Sequence, residues 1–193
     1  MKFTAKNITY LAMLTAVLIL LQSLSTFGFL TVGGISINLT LVPIMIGVVL
    51  LGIWGGLILG FVSCVVVTIY ALTGVDVFSQ ALIQYRPFTT ILLIFVKGIV
   101  APFVASISYK ILTKKSKLVG TWASFIVCPI VNTAIFCLGM LIFYKAFLVG
   151  VFGNNVVYVV FITLAGVNFL VELAINIVCA PVVYRVNKIV NKF

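Results

Sequence analysis

Long apolar segments without charged residues dominate this sequence. The segments 8–27, 55–72 and 118–144 contain no charged side chain. Over the whole chain, 64% of the residues are hydrophobic and 7% are charged, whereas a soluble domain carries about 25% charged residues. An apolar helix of about 20 residues matches the hydrocarbon core of a bilayer. The sequence therefore predicts an integral membrane protein, and its 193 residues fit a single transmembrane domain covering 1–193.

The apolar pattern predicts an all-α fold, with six transmembrane helices in one compact bundle. Pro87 suits the first turn of the fourth helix, because proline is well tolerated there. The second helix is expected to be short and to follow a loop that contains Gly33 and Gly34. The predicted helices cover 8–27, 38–52, 55–72, 87–112, 118–144 and 157–184.

The distribution of basic residues predicts the orientation of this bundle. With six helices, both termini lie on one side, and cytoplasmic segments are enriched in lysine and arginine. Two basic residues, Arg86 and Lys145, fall on the opposite side, and Lys97 falls within the fourth helix. We therefore expect cytoplasmic termini and a multi-pass plasma-membrane protein whose net charge of +10 orients it, without implying nucleic acid. The expected cytoplasmic set is Lys2, Lys6, Lys110, Lys114, Lys115, Lys117, Arg185, Lys188 and Lys192.

The composition argues against an enzyme. The chain has no histidine, and its two acidic residues, Asp76 and Glu172, are far apart in sequence. Metal-assisted and paired-carboxylate sites need more such groups, so we expect no catalytic residue, metal or cofactor. The chain also lacks a GxxxxGK[ST] segment, so any ATP hydrolysis must come from other chains.

Lys97 and Glu172 are the two charges expected deep in the membrane. Each costs about 2.5–3.5 kcal/mol at the centre of a membrane helix, so such groups face a partner or a polar cavity. A structural ion pair between them is one interpretation, and a polar ligand site is the other. The two can coexist.

The helical spacing favours a ligand site. Arg86, Thr90 and Lys97 fall within about 40° on a helical wheel, and Asn168, Glu172 and Asn176 recur every four residues. Asn132 adds an amide on the fifth helix. Each asparagine alone is more typical of contacts between helices. Together the set predicts a site for a small organic anion, because Arg86 remains as a surplus cation once Lys97 and Glu172 cancel.

Small residues mark possible helix contacts. Ala12 and Ala16 form a smooth patch on the first helix, and either internal packing or docking to another membrane protein would use it. Gly52, Gly56 and Gly60 have the same spacing and favour packing within the chain.

In these features the sequence resembles the S components of energy-coupling factor (ECF) transporters, the small vitamin-capturing membrane subunits of bacteria and archaea. The resemblance covers essentially the whole chain and includes its size, helix number and orientation. Tyr10–Ala16 is similar to the AxxxA motif of the family, and Ile37-Asn38-Leu39 precedes the glycine-rich stretch Gly47–Gly60. Pro129–Phe136 is similar to the pantothenate and riboflavin branch.

The resemblance implies a subunit that captures its substrate outside and docks on a transmembrane coupling protein with two ATP-binding subunits. It implies that Ala12 and Ala16 form the docking surface and that the loops around 28–37 and 73–87 close over the ligand. It also places Lys97, Asn132 and Asn168 at polar binding positions. The bilayer lipid and a small water-soluble vitamin are the other partners.

The inventory of cations and amides favours pantothenate, which has one carboxylate, an amide and two hydroxyls. Riboflavin or another vitamin is the alternative, although the acidic segment associated with riboflavin subunits is missing near Ile35–Leu39. A self-sufficient, ion-coupled secondary transporter is an alternative of another class, and a purely structural assembly subunit is a third.

Overall fold

The computed structural model describes residues 4–29, 31–32, 35–36, 39–153 and 155–190. Gly33, Gly34, Ile37 and Asn38, and the terminal Lys2 and Lys192, lie outside the described residues. The α-helices are α1 (Ala5–Thr26), α2 (Leu41–Leu51), α3 (Ile53–Thr73), α4 (Val77–Tyr85), α5 (Pro87–Leu112), α6 (Lys117–Phe143), α7 (Lys145–Phe152), α8 (Val156–Tyr158) and α9 (Gly166–Val190). A π-helical segment, Val159–Leu164, joins α8 to α9. Two short strands, β1 (Thr31–Val32) and β2 (Ile35–Ser36), pair antiparallel between α1 and α2.

Five of these helices are long and apolar enough to cross a membrane: α1, α3, α5, α6 and α9. A sixth span exists if the segments Lys145–Val151 and Val156–Ile162, bent by 97°, together cross the bilayer. The helical membrane fold predicted from the sequence is confirmed. The count of six spans stays a prediction.

The second predicted span, 38–52, is an 11-residue helix, α2. At 1.5 Å per residue it is about 16 Å long, roughly half of a hydrocarbon core. It ends at Gly52, whose φ of +73° suits glycine, and α3 begins at the next residue. α2 and α3 therefore form a tight helical hairpin, in which a Cβ on Gly55 would approach the Gly47 carbonyl oxygen to 2.6 Å.

Glycines on α3 also allow close contact with α5 and with α2. A Cβ on Gly60 would collide with the carbonyl oxygen of Gly98, and one on Gly56 would collide with Val48 of α2. Close backbone approach through small residues is typical of membrane helices. The packing within the chain predicted for Gly56 and Gly60 is confirmed. For Gly52 the prediction is wrong, because a Cβ there would meet no atom within 4 Å and the residue serves the turn between α2 and α3.

Replacing Gly60 with alanine should therefore destabilise the bundle. The added methyl group meets backbone of α5, which cannot rotate away, so we expect a loss of about 1–3 kcal/mol in the free energy of unfolding. A lower midpoint of thermal unfolding in detergent measures it. Gly150→Ala is the control, because a Cβ there meets no atom within 4 Å. Equal midpoints for the two variants would contradict the close crossing of α3 and α5.

Side-chain contacts fix the relative directions of the helices. The Ser23 and Tyr70 hydroxyls, near the ends of α1 and α3, lie 2.6 Å apart, so these helices are parallel. Cys64 donates to the Ile94 carbonyl, while Gly56 lies beside Pro102, so α3 and α5 are antiparallel. α9 runs parallel to α5, because the amide of Asn187, near the end of α9, donates to the hydroxyl of Tyr109, near the end of α5, at 3.3 Å.

The start of α1 and the end of α9 consequently lie at one end of the bundle. Most of the described basic side chains lie there too, and we call it the basic end. They are Lys6, Lys110, Lys114, Lys115, Lys117, Arg185 and Lys188.

The opposite end carries two helices, α4 and α7, in segments predicted from the sequence to lie between the spans. Asp76 begins α4 as its N-cap, accepting hydrogen bonds from the backbone N–H of Ser79 at 3.1 Å and from the Ser79 hydroxyl at 2.6 Å. Aromatic contacts join α4 to α7, with the Tyr85 and Phe147 ring centroids 5.2 Å apart. The segment 73–84 is therefore mostly helical rather than an extended loop.

The buried apolar residues form two separate cores. The larger core contains Leu18, Val48, Leu59, Ala101 and Phe125 among others, and the smaller one lies near α4 and α7 and includes Leu82, Met140, Tyr144 and Val160. On α6 the larger core reaches Cys128 and the smaller one resumes at Cys137. Asn132 lies between them. A polar layer thus interrupts the apolar interior at the level of Asn132.

Candidate functional site

Two polar chambers occupy the layer between the apolar cores. The first, which we call the α1-side chamber, has a cavity volume of about 40 Å³ and is bounded by α1, α2, α3, α5 and α6. The second, the α9-side chamber, has a volume of about 100 Å³ and is bounded by α5, α6, α9 and the π-helical segment. The polar side chains of the first are Gln22, Thr40, Ser63, Cys64, Lys97 and Asn132. Those of the second are Lys97, Asn132, Thr133, Asn168 and Glu172.

Lys97 and Asn132 line both chambers and therefore form the partition between them. The Lys97 ammonium lies 5.3 Å from the centroid of the Phe136 ring, a cation–π contact that stabilises a charge removed from water. Four of the six side chains predicted to bind substrate, Lys97, Asn132, Asn168 and Glu172, thus line the α9-side chamber.

Glu172 lies in the α9-side chamber with only 2% of its surface exposed. Asn168, one turn earlier on α9, donates a side-chain hydrogen bond to its carboxylate. Lys97 and Glu172 interact electrostatically across the chamber, but no direct salt bridge joins them in the described part of the chain. A carboxylate and an ammonium that face a cavity without touching remain available to a third group.

Asn176, the last member of the polar stripe on α9, is used within the helix. Its amide nitrogen donates to the backbone carbonyl of Glu172 at 2.8 Å, and the side chain is 1% exposed. It lines neither chamber.

Arg86 and Thr90 lie apart from the two chambers, although the helical wheel puts them on the face of Lys97. The Thr90 hydroxyl is buried, lies 2.7 Å from the Tyr144 hydroxyl and donates to the Arg86 carbonyl at 2.8 Å. The Arg86 side chain is exposed, with its guanidinium carbon 5.6 Å from the centroid of the Tyr85 ring. The smaller apolar core, which includes Tyr144, covers this face of α5 before it reaches Lys97.

Sequence reasoning missed the α1-side residues. Gln22, Ser63 and Cys64 line the chamber, but each lies within a long apolar run and none belongs to a repeating polar stripe. A glutamine inside a membrane helix was the available signal, because an amide there needs a partner. The π-helical turn before Ala165 was also missed, although such turns are frequent at functional sites.

A larger groove of about 500 Å³ lies at the basic end, between the α2–α3 turn and the end of α5. Its walls are mainly apolar, with Val48, Ile53 and Ile107 among them, and Lys110 lies at its edge. A water-soluble ligand needs buried hydrogen-bonding groups in place of its water shell. We therefore assign the candidate site to the two smaller polar chambers.

No group of three or more histidine, cysteine, aspartate or glutamate side chains is arranged to hold a metal within residues 4–190 as far as they are described.

Ala12 and Ala16 are exposed on the outer face of α1, whereas Leu18 and Gln22 on the same helix face the interior. The two alanines therefore leave a smooth surface that nothing in the described chain covers.

The comparisons with known proteins agree with this architecture. Residues 6–184 match the family model of the ECF transporter substrate-specific component. Comparison with curated proteins and with solved structures gave no significant match. The match covers nearly the whole chain, including both chambers and the alanine face, and the chain therefore belongs to the family of substrate-specific components of ECF transporters.

Proposed function

We propose that this subunit captures a small water-soluble vitamin in the two chambers and that pantothenate is its substrate. Members of this family are substrate-binding subunits of importers and work with a membrane coupling protein and ATPases. The observation that carries the proposal is the half-buried Lys97, which lines both chambers together with the Asn132 amide. Such a group is costly in a bilayer unless it serves a polar partner.

The chemistry of pantothenate matches the α9-side chamber group by group. Its carboxylate pairs with the Lys97 ammonium, and a hydroxyl or the amide N–H donates to the Glu172 carboxyl group or to an asparagine oxygen. Hydrogen bonds to charged groups contribute about 1.5–3 kcal/mol each. The site presents an ammonium group on one side and acceptor oxygens on the other, which favours a substrate carrying an anionic group at one position and donors at another.

Binding requires the two chambers to join. Volumes of about 40 and 100 Å³ hold water molecules, whereas ligand pockets typically measure about 300–1,000 Å³. Lys97 has a flexible side chain and stands between the chambers, so its displacement towards the substrate carboxylate would merge them. The α4 region 73–87 would cover the occupied site from the end opposite the basic end. Much of the other predicted loop, 28–37, lies outside the described residues.

The remaining features support assembly in a prokaryotic cell membrane. The basic end faces the cytoplasm, by the positive-inside rule, so both termini are cytoplasmic. Ala12 and Ala16 form the docking surface for the coupling protein, which carries two ATP-binding subunits. Arg86 serves as a cation near the entry, with Thr90 fixing the backbone carbonyl of Arg86.

Titration calorimetry of the purified protein in detergent tests the choice of vitamin. We expect pantothenate to bind and pantothenol, in which a CH₂OH group replaces the carboxylate, to bind at least about 10-fold more weakly, the loss of roughly one charged hydrogen bond. Riboflavin is the second candidate, because the Phe136 ring lines the chamber and could stack on a flat ligand. If riboflavin binds and pantothenate does not, which a yellow colour of the protein would show, riboflavin is the substrate instead of pantothenate.

The alternative of a self-sufficient secondary transporter gives a different result. Uptake by the chain alone in proteoliposomes, driven by an ion gradient, would support that alternative. We expect no uptake until the coupling protein and the ATP-binding subunits are added.

A further inference from the structure

Gln22 presents a buried acceptor that the fold leaves without a partner. Its side chain lines the α1-side chamber and is 7% exposed. Among the described residues, nothing donates a hydrogen bond to its Oε1 atom. Leaving such an acceptor unpaired costs about 1–3 kcal/mol, so a bound donor at this position would recover that cost.

Thr26 determines which end of the Gln22 side-chain amide points towards Thr26 and which end points away. The Thr26 hydroxyl donates to the Gln22 backbone carbonyl at 2.9 Å, so its single proton is used and its oxygen can only accept. The Gln22 amide nitrogen donates to that oxygen at 3.3 Å. The amide is therefore oriented with Nε2 towards Thr26, which leaves Oε1 as the atom that needs a donor.

The charges around the α1-side chamber define the kind of donor. Lys97 lines the chamber, and α2 begins there at Leu41, so the positive end of its helix dipole also faces the chamber. Both disfavour an ammonium group. The remaining polar side chains are neutral: Thr40, Ser63, Cys64 and Asn132. A hydroxyl or an amide N–H fits this environment and a cation does not.

We propose that Gln22 is a specificity-determining residue that accepts a hydrogen bond from an uncharged donor on the substrate, a hydroxyl or an amide N–H. The inference rests on the proposed function and deepens it, because it makes α1 part of the binding site. The substrate then spans the partition, with its anionic group at Lys97 and its neutral donor at Gln22.

The test is a double cycle that varies the protein and the ligand together. The protein variant is Gln22→Met, which keeps the side-chain length and removes the acceptor. The probes are pantothenate, or riboflavin if pantothenate does not bind, and the same compound with its hydroxyl and amide N–H groups methylated. We expect Gln22→Met to weaken binding of the parent compound about 10-fold and to leave binding of the methylated compound nearly unchanged.

Stability without vitamin separates this role from a structural one. Replacing an unpaired buried amide with an apolar side chain should leave the unfolding midpoint unchanged or raise it. A lower midpoint together with equal losses for both compounds would show that Gln22 only supports the fold and would overturn the inference. If Gln22→Met does not fold, the affinities of the unaltered protein for the parent and the methylated compound still test the inference. Equal affinities would contradict recognition of a donor.

The outcomes for Gln22 and for the proposed function are distinguishable. Parent-compound affinity that is lost in Lys97→Met but unchanged in Gln22→Met overturns the inference and leaves the proposed function intact. Failure of both pantothenate and riboflavin to bind the unaltered protein contradicts the proposed function, and the inference with it.

Discussion

Replacing Lys97 with methionine is expected to weaken pantothenate binding by at least about 30-fold. The lysine ammonium is the one cation that lines the chambers among the described residues, and truncating one partner of a buried charge pair costs about 2–5 kcal/mol. Each 1.4 kcal/mol corresponds to a factor of ten in affinity. Calorimetry on the purified variant measures the change, and methionine keeps most of the side-chain volume.

Two comparisons show whether the loss comes from the charge. Lys145→Met removes an exposed lysine at the start of α7 and should leave affinity within about twofold, as expected for a solvent-exposed charge. Pantothenol, which lacks the carboxylate, should lose little affinity in Lys97→Met. Equal losses for pantothenate and pantothenol would contradict the pairing of Lys97 with the carboxylate.

Enlarging Ala12 and Ala16 together to leucine is expected to abolish uptake while sparing binding. Both alanines lie on the exposed face of α1, and each leucine adds three carbons to a surface that must approach another helix closely. Overpacking costs about 1–3 kcal/mol per site, so two sites should reduce assembly with the coupling protein by at least about 30-fold. Vitamin uptake into proteoliposomes containing the whole complex measures the effect.

The matched control is Ala134→Leu, which enlarges an exposed alanine on α6. It should support normal uptake if the docking surface is the face of α1. Calorimetry on the double variant should give an unchanged affinity, because both alanines are exposed and line neither chamber, whereas Gln22 is buried. Lost vitamin binding, or equal loss of uptake in Ala134→Leu, would contradict the docking role.

The long helices could be predicted because their apolar runs exceed the thickness of a bilayer. α5 spans Pro87–Leu112, as the sequence predicted, and α6 spans Lys117–Phe143 against a predicted 118–144. The end of α2 was harder to predict, because an apolar run does not show where the chain turns back into the next helix. Gly52, with its positive φ, ends the helix after 11 residues.

The site could be predicted only where polar residues repeat along one helix. The spacing of Asn168 and Glu172 singled out two residues that line the α9-side chamber, and the cost of an isolated charge singled out Lys97, which lines both chambers. Gln22 and Ser63 could not be found in this way, because their role depends on which helices meet across the chamber. Thr90 shows the converse, since it shares the face of Lys97 on the wheel but lies opposite Tyr144.

Native mass spectrometry of the protein purified without added vitamin tests the proposed site most directly. We expect one small molecule with the mass of a water-soluble vitamin on each unaltered chain, and none on Lys97→Met. Chains that carry only lipid, or an adduct retained equally by Lys97→Met, would contradict a vitamin bound in the chambers around Lys97.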